Sequence, residues 1–375
     1  MIHPKDFFGA LQVNNISFFT GVPDSLLKDF CAYIEDHAGP DEHIIAENEG
    51  GAVALATGYY LATKKPALVY MQNSGFGNAV NPLLSLVDPK VYSIPQLLVI
   101  GWRGEPGIKD EPQHVKQGSV MLGLLKTLEI PFVILDRSTI KIERIVANAC
   151  RMVQRGSGPF VFLVRKGSFE SCSFHKKRDW NYPLNRETAI KVILRDLDSN
   201  DIVVATTGMT SRELFECRET LHQGHQNDFL TVGSMGHCSQ IALGIALERR
   251  NRNIYCLDGD GSVLMHMGGL ATVGSKSPAN FRHILINNAA HESVGGQPTA
   301  GRYVDFPRIA KACRYRLALQ AQTEAEIIKA MKIFKANAGP SLLEVRVSQG
   351  ARKNLGRPTE SPKESKRQLM RSLSY

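Results

Sequence analysis

The sequence contains no C-x-x-C pair. Its seven cysteines (Cys31, Cys150, Cys172, Cys217, Cys238, Cys256, Cys313) are scattered and odd in number. That excludes a disulfide framework and a structural zinc site of the paired-thiol type, and predicts reduced thiols in a reducing compartment. No uninterrupted apolar run reaches the length a bilayer span needs, and the opening "MIHPKDFFGALQVNN" has neither the basic flank nor the apolar core of a secretory signal. Both absences predict a cytoplasmic chain. Basic and aromatic residues are not interleaved, so the formal net charge of +9 does not read as a nucleic-acid footprint. Residues 351–375 carry seven basic side chains against two acidic ones, more than half of that excess. This basic, Ser- and Pro-containing tail is expected to be extended or partly disordered. The remaining excess suits an enzyme with anionic ligands.

What the sequence does have is alternation. Short β-rich runs ("ISFFTG", "HIIAE", "PALVYM", "QLLVIG", "PFVIL", "PFVFLVRKG") alternate with helical patterns, and six more follow ("DIVVATTG", "DFLTVG", "NIYCLDGDG", "HILINN", "YRLALQAQ", "SLLEVRVSQG"). This predicts an α/β fold of two doubly wound parallel-sheet domains. The expected bounds are 1–170 and 186–350, followed by the 351–375 tail, with no middle domain. The halves share no visible sequence identity, so the repeat is one of architecture. In such sheets ligands bind where strands end, which directs attention to the residues after each strand.

The stretch "CLDGDGSVLMHMGGL" (256–270) ends one such strand. A calcium-loop reading from Asp258 fails, because Val263 stands where a glycine is required and Gly269 where a glutamate is. A plain surface turn remains open on this stretch alone. A second strand, however, ends in Asn287 and Asn288, with 26 residues between Asp260 and Asn287. A crossover helix between neighbouring parallel strands brings a carboxylate and a carboxamide to one sheet edge, hard oxygen ligands suited to Mg2+ and phosphate oxygens. Gly259 and Gly261 allow close approach of a diphosphate, and Ser262 opens the next helix.

This G-D-G-S, spacer, N-N pattern resembles that of the thiamine-diphosphate-dependent enzymes, in which Mg2+ anchors the cofactor's diphosphate. The resemblance implies a glutamate in the first half that hydrogen-bonds the aminopyrimidine ring and promotes the tautomer that activates the thiazolium carbon. Glu49 in "AENEGGAVALATGYY" is the candidate, with Glu47 as its competitor. "TVGSMGHCSQIALGIAL" resembles the segment that holds the cofactor bent: Met235 would be the wedge and the Gly233 carbonyl the partner of the amino group, against a reading of Met235 as core filler. In "TTGMTSREL", Gly208, Thr210 and Ser211 are either diphosphate contacts or ordinary helix caps.

The resemblance runs over nearly the whole chain, through "GVPDSLLKDF", "MQNSGFGNAVNPLLSL", "GWRGEPGIKDEPQHVKQG", "TTGMTSREL", "VGSMGHCSQIALGIALE", "NNAAHESVGGQPT" and "RKNLGRP". The chain is similar to the short decarboxylases of phosphonate biosynthesis, which act on a 2-oxo acid bearing a phosphonate; those acting on the sulfonate analogue are near relatives. The resemblance implies loss of carbon dioxide into the cofactor's electron sink, then protonation and aldehyde release. It also implies at least a dimer, with the site between the pyrimidine domain of one subunit and the diphosphate domain of another. Arg103, Lys109, His114 and Lys116 are expected to cluster in one loop after "QLLVIG", a set with phosphonate-binding chemistry. Asp24 and His114 are acid/base candidates, Asp24 also being readable as a helix cap. His291 either faces the substrate or bonds a loop. In relatives the metal-ligating asparagine is often the second of the pair, one residue nearer the aspartate than Asn288 is here, so the choice between Asn287 and Asn288 stays open. "GFGNAV" imitates a dinucleotide-binding fingerprint too loosely to imply NAD, and a non-catalytic thiamine carrier would have no need of Glu49.

Overall fold

The computed structural model describes residues 1–156, 158–173 and 180–374. The chain divides into two compact units, Met1–Lys177 with Ser293–Gln297, and Arg178–Glu292 with Pro298–Tyr375. The break expected between 170 and 186 spans residues 174–179, which lie outside the described set.

In the first unit the chain runs α1 (Pro4–Val13), β1 (Phe19–Gly21), α2 (Lys28–His37), β2 (His43–Ile45), α3 (Glu49–Thr63), β3 (Ala67–Gln72), α4 (Phe76–Pro82), β4 (Gln96–Gly101), α5 (Pro112–Thr127), β5 (Phe132–Leu135), α6 (Ile142–Gly156) and β6 (Pro159–Val164). The strands form one parallel sheet in the order β2-β1-β3-β4-β6-β5. Every residue of β4 and β6 is buried, as expected of apolar runs covered on both faces. The helices supply the cover through apolar stripes. In α6 the buried residues Ile142, Val146, Ala149, Cys150 and Val153 follow the helical period.

The second unit contains α7 (Arg186–Asp196), β7 (Ile202–Ala205), α8 (Met209–Thr220), β8 (Asp228–Leu230), α9 (Cys238–Glu248), β9 (Ile254–Gly259), α10 (Asp260–Met265), α11 (Gly268–Lys276) and β10 (Phe281–Asn287). Two short strands follow, β11 (Ala290–His291) and β12 (Gln297–Pro298), then α12 (Phe306–Ala312), β13 (Leu317–Ala321), α13 (Glu324–Ala336), β14 (Ser341–Arg346) and α14 (Pro362–Leu373). The large sheet is parallel, in the order β13-β14-β10-β9-β7-β8. Counted from each unit's own first strand, both sheets read 2-1-3-4-6-5. The order reverses between the first and third strands, β1 and β3 in one sheet and β7 and β9 in the other, and such reversals open a crevice at the carboxyl ends. Among the described residues no helix is long and apolar enough to cross a membrane.

The tail departs from its expected extended form. Ser361 caps α14 by accepting from the Glu364 N–H, and Pro362 occupies the first turn. Leu369 is buried in the core layer on one face of the second sheet, where Leu373 packs beside it. Arg249 Nε donates to the Leu373 carbonyl at 2.7 Å and Arg252 Nη1 to that of Ser372 at 2.7 Å. Composition suggested disorder, but two leucines four residues apart are enough to dock the last turns.

Candidate active site

In the first unit, Glu49 opens α3, whose cap is Asn48 accepting from the Gly51 N–H. Its carboxyl is buried, while Glu47 is exposed. Asn78 Nδ2 donates to Glu49 Oε2 at 2.8 Å. The carboxyl also lies against the bare Cα of Gly75, where an added Cβ would stand 1.8 Å from Oε1. Burial raises the Glu49 pKa above the ordinary carboxylate value, against the lowering effect of Asn78. The result is a carboxyl that resists ionisation at a sheet edge.

Asp24 follows β1 and is fully buried. Gln72 Nε2, at the end of β3, donates to its Oδ1 at 2.5 Å, and the Leu26 N–H donates to Oδ2 at 3.2 Å. Burial raises the pKa of this acid too, opposed by Gln72 and the nearby Arg103 charge. Arg103, beyond β4, donates from Nε to Asp110 Oδ2 at 2.8 Å, with a second bond from Nη2 to Oδ1, and its Nη1 reaches Ser25 Oγ at 2.7 Å. The guanidinium is therefore already held in a fork by Asp110. His114, in the first turn of α5, is buried, and its Nδ1 has no hydrogen-bond partner. Burial, then the Arg103 charge, hold its pKa below the ordinary imidazole value. Lys109 and Lys116 are exposed, so of the four basic candidates only Arg103 and His114 lie inward.

In the second unit the crevice at β7 and β9 gathers most of the remaining candidates. Gly208, with φ at 95°, caps α8, and Thr210 and Ser211 are buried in its first turn. Ser211 Oγ donates to the Thr206 carbonyl at 2.6 Å, which ties the first turn of α8 to the residue after β7 and caps no helix N–H. Thr206 Oγ1 donates to Ser262 Oγ at 3.0 Å, and Ser262 Oγ accepts from the Gly236 N–H at 3.1 Å. Thr207 Oγ1 accepts from the Gly233 N–H at 3.1 Å. Gly233, Ser234 and Gly236 all have positive φ (74°, 48° and 87°), a tight loop that sets Met235 half-buried beside Gly261. A Cβ on Gly261 would lie 3.0 Å from the His291 ring and 3.3 Å from Met235 Cε, so that glycine keeps the space between them open.

Asp260 is buried, and burial pushes its pKa up to about 6 despite hydrogen bonds from Thr299 and from the backbone, Asn288 included. Thr299 Oγ1 donates to Asp260 Oδ2. A Cβ built on Gly301 would stand 2.7 Å from Asp260 Oδ2, 2.9 Å from Thr299 Oγ1 and 3.0 Å from Asn287 Oδ1. Three side-chain oxygens thus converge on a point that only glycine leaves open. Asn287 Nδ2 donates to the Gly301 carbonyl and to Glu344, while Asn288 Nδ2 donates to Glu292 at 3.1 Å and its Oδ1 accepts from Ala290 at 3.2 Å. A buried carboxylate surrounded by hard oxygens fits a small divalent cation. Asp258 instead accepts from the Gly259 N–H, closing the strand end.

Sequence reading missed Gln72, Asn78, Thr206, Thr207, Thr299 and Gly301. Thr206 and Thr207 directly follow a strand, a position that could have drawn attention. Thr299 and Gly301 follow the asparagine pair by a loop, and no spacing rule links them to Asp260.

Comparison with known proteins adds the family context. Residues 5–122 match the thiamine pyrophosphate enzyme N-terminal TPP binding domain, and residues 206–345 the corresponding C-terminal TPP binding domain. A phosphonopyruvate decarboxylase from Streptomyces viridochromogenes is 33% identical, with 98% of this chain and 94% of the relative covered. One from Streptomyces hygroscopicus is 33% identical over 98% and 93%. A sulfopyruvate decarboxylase from Methanosarcina acetivorans is 26% identical over 100% and 98%.

Proposed function

Since the chain belongs to the thiamine pyrophosphate enzyme family and is a thiamine-diphosphate-dependent decarboxylase, we propose that it converts 3-phosphonopyruvate to phosphonoacetaldehyde and carbon dioxide, with Mg2+ as the cofactor's partner ion. The observation that carries the substrate is the 33% identity to two phosphonopyruvate decarboxylases over almost their full length, against 26% to a sulfopyruvate decarboxylase.

Bound thiamine diphosphate supplies a nucleophilic carbon and a sink for the electron pair that departing carbon dioxide leaves behind. The chain's own residues do the rest. Glu49, whose pKa burial raises toward the neutral form, would hydrogen-bond a ring nitrogen of the aminopyrimidine and exchange a proton there. Asp260 and a carboxamide oxygen of the Asn287–Asn288 pair would hold the ion; Gly259, Gly261 and Ser262 line the adjacent turn. Gly208, Thr210 and Ser211, at the N-terminus of the 12-residue α8, would receive diphosphate oxygens. Met235 would support the cofactor, and the Gly233 carbonyl would be the partner of its amino group. Asp24 and His114, an acid and an imidazole both biased toward their neutral forms, deliver the proton that replaces the lost carboxylate. Arg103, oriented by Asp110, grips the phosphonate, with Lys109, Lys116 and His291 contributing to its recruitment and binding.

Aldehyde release from phosphonopyruvate, measured with and without thiamine diphosphate and Mg2+, tests this reading: turnover should require both, and cofactor-independent turnover or none would overturn it. We propose further that the chain works as a homodimer or larger assembly in the cytoplasm; its seven free cysteines support a reducing compartment. Light scattering of the purified protein reads the assembly, and a monomer at assay concentration would contradict it.

A further inference from the structure

Next to the proposed metal loop lies a buried charge network that the reaction itself does not use. Arg186, in the first turn of α7, is buried and donates to Glu213 of α8 from Nε at 2.6 Å and Nη2 at 2.9 Å. Its remaining Nη1 donates to Glu292 Oε2 at 2.5 Å. That same Oε2 accepts from Asn288 Nδ2 at 3.1 Å, and Glu292 Oε1 accepts from the Gly350 N–H. One carboxylate therefore ties together α7, the segment after β14 and the asparagine pair. Through Arg186 it also reaches α8, the helix that starts at Gly208.

We infer that Glu292 is a positioning residue for the metal loop: it fixes the orientation of the Asn288 carboxamide and so the placement of the Asn288 backbone against Asp260. A carboxamide presents an acceptor on one side and donors on the other, and turning it over exchanges them at almost no steric cost. A carboxylate only accepts, so a charged Glu292 selects the orientation with Nδ2 toward itself and Oδ1 on the opposite side, the side of the loop that receives the Ala290 N–H. With the side chain pinned, the Asn288 backbone is held beside the Asp260 carboxyl. Arg186 keeps Glu292 in place, and Glu213 keeps Arg186 in place. Outer-shell carboxylates of this kind orient a metal site without touching the metal, and their loss typically lowers metal affinity about 10- to 100-fold.

The inference rests on the metal role proposed for Asp260 and the asparagine pair, and a binding experiment separates the two. Calorimetric titration of Mg2+ into the full chain at saturating thiamine diphosphate is compared for wild type, Glu292→Gln, Asn288→Ala and the double variant, with the thermal midpoint of each metal-free protein recorded in parallel. If Glu292 acts through Asn288, Glu292→Gln weakens Mg2+ binding at least about tenfold, and adds nothing once Asn288 is already alanine. Such coupling is what two groups in one network show. Wild-type affinity in Glu292→Gln would overturn the inference, as would fully additive losses accompanied by equal drops in metal-free midpoint, which mark a general packing role. Absence of Mg2+-dependent binding in the wild type would overturn the metal site itself, and this inference with it.

Discussion

Glu49, a buried carboxyl whose pKa is raised, is the residue on which the proposed chemistry turns. Glu49→Gln keeps the shape and removes the exchangeable acid; decarboxylation should fall at least about 100-fold, the usual scale for loss of positioned proton transfer, while calorimetric cofactor binding persists. Unchanged turnover would remove Glu49 from the mechanism. The same burial has a pH signature in the metal- and cofactor-free protein. Because the folded-state pKa is raised, the folded chain holds this proton more tightly than the unfolded one. Its contribution to stability is present below the ordinary carboxylate value and is lost as pH rises through the folded value. Glutamine cannot titrate, so the stability of Glu49→Gln relative to wild type should climb from mildly acidic to neutral pH in urea denaturation series; a pH-independent difference would contradict the assignment. Asn287→Ala and Asn288→Ala, compared for Mg2+ affinity, identify which carboxamide binds the ion, the ligand variant losing the larger factor. The buried position of Glu49 was legible in the sequence because its place after a strand is a local feature. Gln72, Asn78 and Thr299 were not, since each meets its carboxyl across the sheet edge or a loop.

At the scale of elements, all twelve strands of the two large sheets were legible from short apolar runs bounded by turn residues. The tail was not: seven basic residues and scattered prolines hid Leu369 and Leu373, which dock α14. Leu369→Ala should therefore cost about 2–4 kcal/mol of stability, as removal of a buried leucine side chain does, measured by chemical denaturation. A loss below about 0.5 kcal/mol, the range of surface changes, would show the helix to be undocked. The loop that carries Met235 gives a second test. Gly236 has φ at 87°, and a Cβ there would stand 2.5 Å from the His266 ring. Gly236→Ala is expected to destabilise the protein by about 1–3 kcal/mol and to weaken cofactor binding with it. Wild-type midpoint and affinity would free the loop of that constraint. Positive φ at three of four consecutive positions was only half-legible, because glycine announces it and Ser234 does not.

Over the whole molecule, two units with no visible sequence identity have the same strand order and the same crevice at the switch between first and third strands. One unit carries the buried acids Asp24 and Glu49 with Arg103 beside Asp24, the other hard oxygens and a glycine-lined turn. That division of labour matches the two TPP binding domains the chain carries. The alternation of strands and helices made the architecture readable at this scale; the choice of substrate was not, since phosphonate and sulfonate share a site chemistry of arginine, histidine and lysine. The most direct test of the central claim is the ratio of kcat/KM for 3-phosphonopyruvate to that for sulfopyruvate on the Mg2+- and thiamine-diphosphate-loaded protein. The proposed function predicts a ratio of at least about ten, the equivalent of ~1.4 kcal/mol of discrimination; a ratio below one would contradict it and make the protein a sulfopyruvate decarboxylase.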